Sequence, residues 1–317
     1  MTATTAQPPK RTAATRRAGD IWFSGTAVAA GSMIMITLAA VAIFLIVQSL
    51  PAFTASPETA SLLKGGNFWS YVWPLLFGTA WAALLALVIA VPLSIGVALF
   101  ITHYAPRRLA QTLGYIVDLL AAVPSVVFGL WGILVLAPAV QPIYGWLTEN
   151  AGWFPLFAGE ASKTGRTIFT AAMVLAVMVL PIITAICREI FLQTPRLHEE
   201  AALALGATRW EMVRMAVLPF GRSGIVSASM LGLGRALGET MAVAMVLSVS
   251  GAVTFQLFTS TNPSTIAANI ALTFPEAYKV NINILIATGL ILFIVTFAVN
   301  ALARWVVNRR KEFSGAN

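Results

Sequence analysis

The sequence predicts an all-α membrane protein with six transmembrane helices. Three observations carry this. Hydrophobic residues make up 58% of the 317 residues and charged residues only 10%, whereas soluble domains carry about 25% charged residues. Six apolar stretches are each long enough to cross a bilayer, which takes about 20 residues. The basic residues also collect in alternate segments between those stretches. One cysteine, Cys187, is present, so an internal disulfide is ruled out.

The elements follow in order. Residues 1–20 are rich in Thr, Ala and Pro, carry four basic side chains, and read as a disordered cytoplasmic tail. Residues 21–311 read as one membrane domain, with spans at 26–50, 72–101, 113–137, 167–187, 223–249 and 281–307. The first apolar run is about twice the length of a signal-peptide core (~7–15 residues), so it is expected to be retained. Pro92 falls inside the second span. Asp118 lies one turn inside the third, where pairing with a basic residue is expected, and Pro124 and Gly129 interrupt that span beside Ser125. Residues 140–166 read as the longest external loop, with Tyr144, Trp146, Trp153, Phe154 and Phe157. Their aromatic rings suit a membrane surface or the docking of a delivery protein. In the second external loop, 250–280, a short helix is expected over 265–272, stopped by Pro275. Residues 312–317 form a C-terminal tail.

With the amino terminus inside, fifteen Lys and Arg fall in inside segments and four in outside ones, Arg235 being the remaining basic residue. That asymmetry predicts a multi-pass protein with both termini cytoplasmic. It also accounts for the basic excess without nucleic acid. No GxxxxGK[ST] run and no His/Cys cluster occurs in the sequence, so no cofactor, metal or nucleotide site is expected on this chain, and no enzymatic activity of its own.

Residues 188–222 form the longest inside loop. Thr194 with Pro195 reads as a helix start, Gly206 as its end, and Thr208 with Glu211 as the capping box of a second helix that Pro219 and Gly221 close. Leu203, Leu205, Trp210, Val213 and Val217 give the loop apolar surface for docking. Beyond it, Arg235 and Glu239 lie near the middle of the fifth span. Four residues apart, they are expected to share one face of a continuous helix.

The sequence Glu200-Ala201-Ala202, then Gly206, then Leu218-Pro219, resembles the EAA motif of ABC-importer permeases. The run Gly232-Leu-Gly-Arg-Ala-Leu-Gly-Glu-Thr-Met-Ala-Val243 resembles phosphate-importer permeases of the PstC type, as do 119–132 and Leu180-Pro181. Ala216 stands where the EAA motif usually has Ile. The resemblance implies a type I ABC-importer permease fold in a bacterial inner membrane. It implies a subunit that forms half of a pathway for inorganic phosphate, coupled through Glu200, Ala201, Ala202, Gly206, Leu218 and Pro219 to a cytoplasmic ATPase. The implied partners are a second permease subunit (PstA-like), two ATPase subunits (PstB-like) and an external phosphate-binding protein (PstS-like). Arg235, Glu239 and Ser125 are the candidate pathway residues. A stand-alone secondary transporter or channel for a small anion is the alternative, with Arg235 and Glu239 as its gate.

Overall fold

The computed structural model describes residues 18–311, so residues 1–17 of the tail expected over 1–20, and the tail expected at 312–317, lie outside the described residues, while residues 18–20 are the start of a helix and not part of a disordered tail. The described chain is helical apart from loops and one isolated bridge between Val249 and Asn262. Among the described residues, six helical stretches are long and apolar enough to cross a membrane: Trp22–Phe53, Phe68–Tyr104, Ser125–Ala151, Ile168–Leu192, Arg209–Gly238 and Val280–Trp305.

Two compact units divide between Val47 and Gln48. In the first, the described residues form the N-terminal part of α1 (Ala18–Phe53), an apolar helix whose large side chains, among them Met33, Ile36 and Phe44, are exposed. Such a surface suits lipid or a neighbouring helix and not water.

The second unit is built around α2 (Phe68–Leu99) and α6 (Ile168–Leu192). Buried Ala82, Ala86, Ala90, Ser94 and Ala98 recur every fourth residue and make a small-residue face on α2. Small side chains let two helix backbones approach closely, which is the main packing device available inside a membrane. The α6 face buries Val174, Leu175, Met178, Val179 and Ile183 in the same core. Ser94 adds a hydrogen bond across the interface, its hydroxyl donating to the Leu180 carbonyl at 3.0 Å. Helix α2 runs through Pro92 and ends on a π turn, Phe100–Tyr104, where the Ala105 amide reaches the Phe100 carbonyl.

The third crossing differs from the expected 113–137. Its first part is a separate helix, α3 (Arg107–Ala121), which packs on α6. Asp118 meets Arg188 there at 3.5 Å, the pairing expected of it, and Gly114 leaves room for the Arg188 guanidinium. The chain then breaks at Pro124. The apolar run restarts as α4 (Ser125–Trp131), passes a π turn (Gly132–Leu136), and continues as α5 (Ala137–Ala151). The first half of the expected external loop 140–166 is therefore helix. Tyr144 on α5 is core, stacked on Phe258 at 4.6 Å and hydrogen-bonded to Thr170. Trp153 remains exposed.

The segment that follows α6 holds α7 (Arg196–Ala204) and α8 (Arg209–Met212). A π turn at Val213–Val217 then runs directly into α9 (Leu218–Gly238). The expected closure at Pro219 does not occur. Pro219 follows directly on that π turn, a local widening of the helix that accommodates the ring, and the Leu218 amide reaches five residues back to the Val213 carbonyl. Thr194 does not cap α7. Its hydroxyl is buried without a hydrogen bond, and Pro195 holds the N-cap position.

Beyond α9 come α10 (Met241–Val246), α11 (Ile266–Thr273) and α12 (Val280–Lys311). Helix α11 lies within a residue of the expected 265–272, with Thr265 as its cap and not its first residue, and breaks at a short 3-10 turn holding Pro275. It is pinned to α2: the Ile266 amide donates to the Thr79 hydroxyl at 2.9 Å, and Gly78 admits the Ser264 carbonyl.

Candidate functional site

The fifth crossing is not one helix. Helix α9 ends at Gly238, Glu239 is extended (φ −69°, ψ 129°), and α10 begins at Met241. The expectation that Arg235 and Glu239 share a face of one continuous helix is overturned by this break. The local sequence explains it. Gly238 is a poor helix former, and Glu239 uses its side chain as a cap, Oε1 accepting from the Ala242 amide at 3.1 Å. The Thr240 hydroxyl donates to the Gly238 carbonyl at 3.2 Å. Glu239 is only 8% exposed. Among the described residues no ion pair joins it to Arg235.

Packing fixes the depth of the break. Gly232 fits against Ile183 of α6, and nearer the loop Gly224 and Gly221 fit against Ile190 and Phe191. Further out, Gly132 is enclosed by Val174 of α6 and Val246 of α10. Glu239 therefore lies level with the middle of the apolar stretch of α6 that runs from Ile168 to the charge at Arg188. An interrupted helix at that depth is tolerated only where it is buried or lines a water-filled cavity.

Helix α10 carries an acid at its first end and a base at its last. Arg166 Nη2 donates to the carbonyls of Met245 (3.1 Å) and Leu247 (3.3 Å). Both placements complement the helix dipole. The sequence pattern marks Arg166 only as an outside charge. Its target carbonyls are some eighty residues away in the chain, and no spacing rule reaches that far.

Ser125 opens α4, which packs alongside α10. Gly129 meets Ala242 and Gly132 meets Val246, so the two helices run in the same direction. Ser125 and Glu239 thus sit at nearby levels of the bundle. The Arg235 side chain is exposed and lines a cavity of about 830 Å³ between α9 and α12.

The loop site is well defined. Helix α7 ends in a Schellman turn: the Gly206 amide donates to the Leu203 carbonyl (3.0 Å), and the Ala207 amide to the Ala202 carbonyl (3.2 Å). Gly206 has φ +87°, with open space where a Cβ would stand. Its backbone conformation, and not crowding, calls for glycine. The capping box forms as expected, the Thr208 amide on Glu211 Oε2 at 2.8 Å and the Glu211 amide on Thr208 Oγ1 at 3.3 Å.

Glu200, Ala201 and Leu203 are exposed, and Leu205 is 90% exposed. Trp210 and Met215 are exposed as well, so an apolar patch projects from a polar loop. Val213 and Val217, expected on that patch, are instead fully buried against the bundle. Leu218 and Pro219 stand at the start of α9. A contact that sequence reading missed ties the loop to α2. His103 Nδ1 bonds the Thr102 hydroxyl at 2.6 Å, and Nε2 stands 3.5 Å from Glu199 Oε1. His103 shows no local pattern in the sequence, and its partner is 96 residues on.

Six apolar crossings among the described residues, an exposed helical loop and a helix broken at a buried acid are the features of a membrane permease. The chain belongs to the family of binding-protein-dependent transport system inner membrane components, whose model matches residues 90–312. It is 50% identical over 300 residues to the phosphate transport system permease protein PstC 2 of Mycobacterium tuberculosis, covering 91% of each chain. It is 47% identical to PstC of Mycobacterium leprae (85% of this chain, 87% of the relative). Identity to PstC of Mesorhizobium japonicum is 39% (94% and 92%). The fold matches a chain of a bacterial alginate ABC transporter solved with its periplasmic protein, at TM-score 0.62 and 16% identity, over 92% of this chain and 95% of that one.

Proposed function

We propose that this chain is the membrane-spanning permease subunit of an ATP-driven importer of inorganic phosphate. It forms half of the translocation pathway and works with a second permease subunit, two cytoplasmic ATPase subunits and an external phosphate-binding protein. The observation that carries the reading is the 50% identity to a phosphate permease across 91% of both chains, which includes the stretch with Arg235 and Glu239. Both termini are cytoplasmic, as the Lys and Arg distribution implies.

Coupling is mechanical. ATP closes the ATPases, and the Glu200–Gly206 helix moves with them through its exposed apolar patch. The bundle then rocks between outward- and inward-facing states. The rigid turn at Gly206 and the His103–Glu199 contact support transmission of that movement to α2.

In the pathway Arg235 meets the anion. A guanidinium offers a planar fork matched to phosphate oxygens, strengthened by low surrounding dielectric. Glu239, held at the helix break, repels the anion and speeds its departure. Ser125, near the same level, offers a hydroxyl. A charge facing lipid at a helix centre costs roughly 2.5–3.5 kcal/mol on insertion scales, which favours a protein or water environment for both side chains.

The test is reconstitution. The chain with its three partner types in vesicles should take up phosphate only when ATP and binding protein are supplied. Phosphate movement through the chain alone, without ATP, would instead make it a stand-alone transporter or channel. Uptake of sulfate in preference to phosphate would change the substrate.

A further inference from the structure

The cavity beside Arg235 extends well beyond that residue. It is lined on α9 by Ser223, Ser227, Gly234 and Arg235, and on α12 by Asn300 and Arg304. Ser223 and Arg235 are twelve residues apart on one helix, roughly 18 Å at 1.5 Å per residue. The groove therefore leads from the mid-depth of the bundle to Arg304 on α12.

Its chemistry is one-sided. Two guanidiniums, two hydroxyls and an amide line it among apolar Ile182, Val226, Met230 and Leu231, and among the described residues no carboxylate does. Neither Arg235 nor Arg304 has an ion-pair partner among the described residues. Ser227 returns its hydroxyl to the Ser223 carbonyl at 3.0 Å, which leaves its oxygen facing the groove as an acceptor until the hydroxyl turns. Each is an unpaired cation in a membrane groove, and an anion beside either one offsets the cost of holding that charge away from water.

We propose that this groove is a second site for a phosphate group, with Arg304 as its inner cation. Two sources supply the same chemistry: free phosphate leaving the pathway, or the phosphodiester headgroup of an adjoining anionic lipid. The first source rests on the phosphate-import reading above and gives it a release route. An anion held by Arg235 at mid-depth passes to Arg304, and a following anion displaces it, since several moderate sites release faster than one tight site.

The experiment uses the assembled importer in vesicles, with phosphate varied on the cytoplasmic face. Wild-type transport is expected to be inhibited by that phosphate, and Arg304→Gln to raise the half-inhibiting concentration about tenfold at equal assembly. Arg304→Lys, which keeps the charge and loses the fork, should raise it about threefold. A second arm measures phosphatidylglycerol retained per purified complex. If the occupant is a lipid headgroup, Arg304→Gln loses retained lipid and leaves product inhibition unshifted. The proposal is overturned if Arg304→Gln matches wild type in both arms. A wild-type complex that carries no phosphate would defeat the import reading separately, and the lipid arm then decides the groove by itself.

Discussion

Glu239 Oε1 accepts the Ala242 amide at 3.1 Å, so an acid buried at the middle of the bundle is a helix cap as well as a charge. The two roles separate by substitution. Gln keeps a carbonyl acceptor and loses the charge, while Ala loses both. Removing an N-terminal cap typically costs about 1 kcal/mol. Glu239→Gln should therefore keep wild-type abundance and melting temperature while phosphate uptake slows severalfold. Glu239→Ala should lower the melting temperature as well. Thermal unfolding of the purified complex beside uptake per complex checks both. A Gln variant that melts like Ala would show that the carboxylate itself is required for the fold.

Gly206 makes a second separation. Its φ of +87° disfavours any side chain, although the space is open. Left-handed backbone costs a non-glycine residue roughly 1–2 kcal/mol, least for Asn and most for β-branched types. Gly206→Val should disconnect ATP hydrolysis from uptake while the membrane bundle stays folded, and Gly206→Asn should stay close to wild type. The ratio of phosphate moved to ATP hydrolysed is the measurement. Equal ratios in Val and wild type would reduce Gly206 to a local cap.

Orientation is open to a direct check because Cys187 is fully buried and leaves the background silent. Glu58 and Leu205 are both exposed and lie in loops of opposite expected side. In sealed cells, Glu58→Cys should react with an impermeant thiol reagent, and Leu205→Cys only after the membrane is opened. External labelling of Leu205→Cys would reverse the topology.

Much of this architecture was legible because the membrane makes its demands locally. Length and hydropathy mark the crossings, and the Thr208–Glu211 box, the Gly206 turn and the Thr265 start each depend on residues within one turn. The failures share a different cause. Hydropathy starts the third crossing at residue 113 because α3 carries exposed apolar residues, Tyr115, Ile116, Leu119 and Leu120, just before the Pro124 break. The fifth was drawn unbroken because Gly238-Glu239-Thr240 is surrounded by apolar residues, and a Glu that caps its own following helix leaves no mark in hydropathy. Val213 and Val217 read as docking surface because burial on a loop depends on distant partners. The Arg166 and His103 contacts, and the Asn262 side chain that bonds the Ile168 amide and the Ser248 and Thr259 carbonyls, depend on the same long-range packing.

The pathway role of Arg235 is the centre of this account, and phosphate uptake per assembled complex tests it most directly. The set is Arg235→Gln, Arg235→Lys, Glu239→Gln and the double Gln variant, each normalised to complex recovered from the membrane. Arg235→Gln should abolish uptake at normal assembly. Arg235→Lys should retain a small fraction, since a point charge attracts the anion without the fork. The double variant should remain inactive, because removing the repelling acid does not restore the anion's cation. Normal uptake in the Arg235→Gln/Glu239→Gln double variant would contradict the account and leave both residues a structural part.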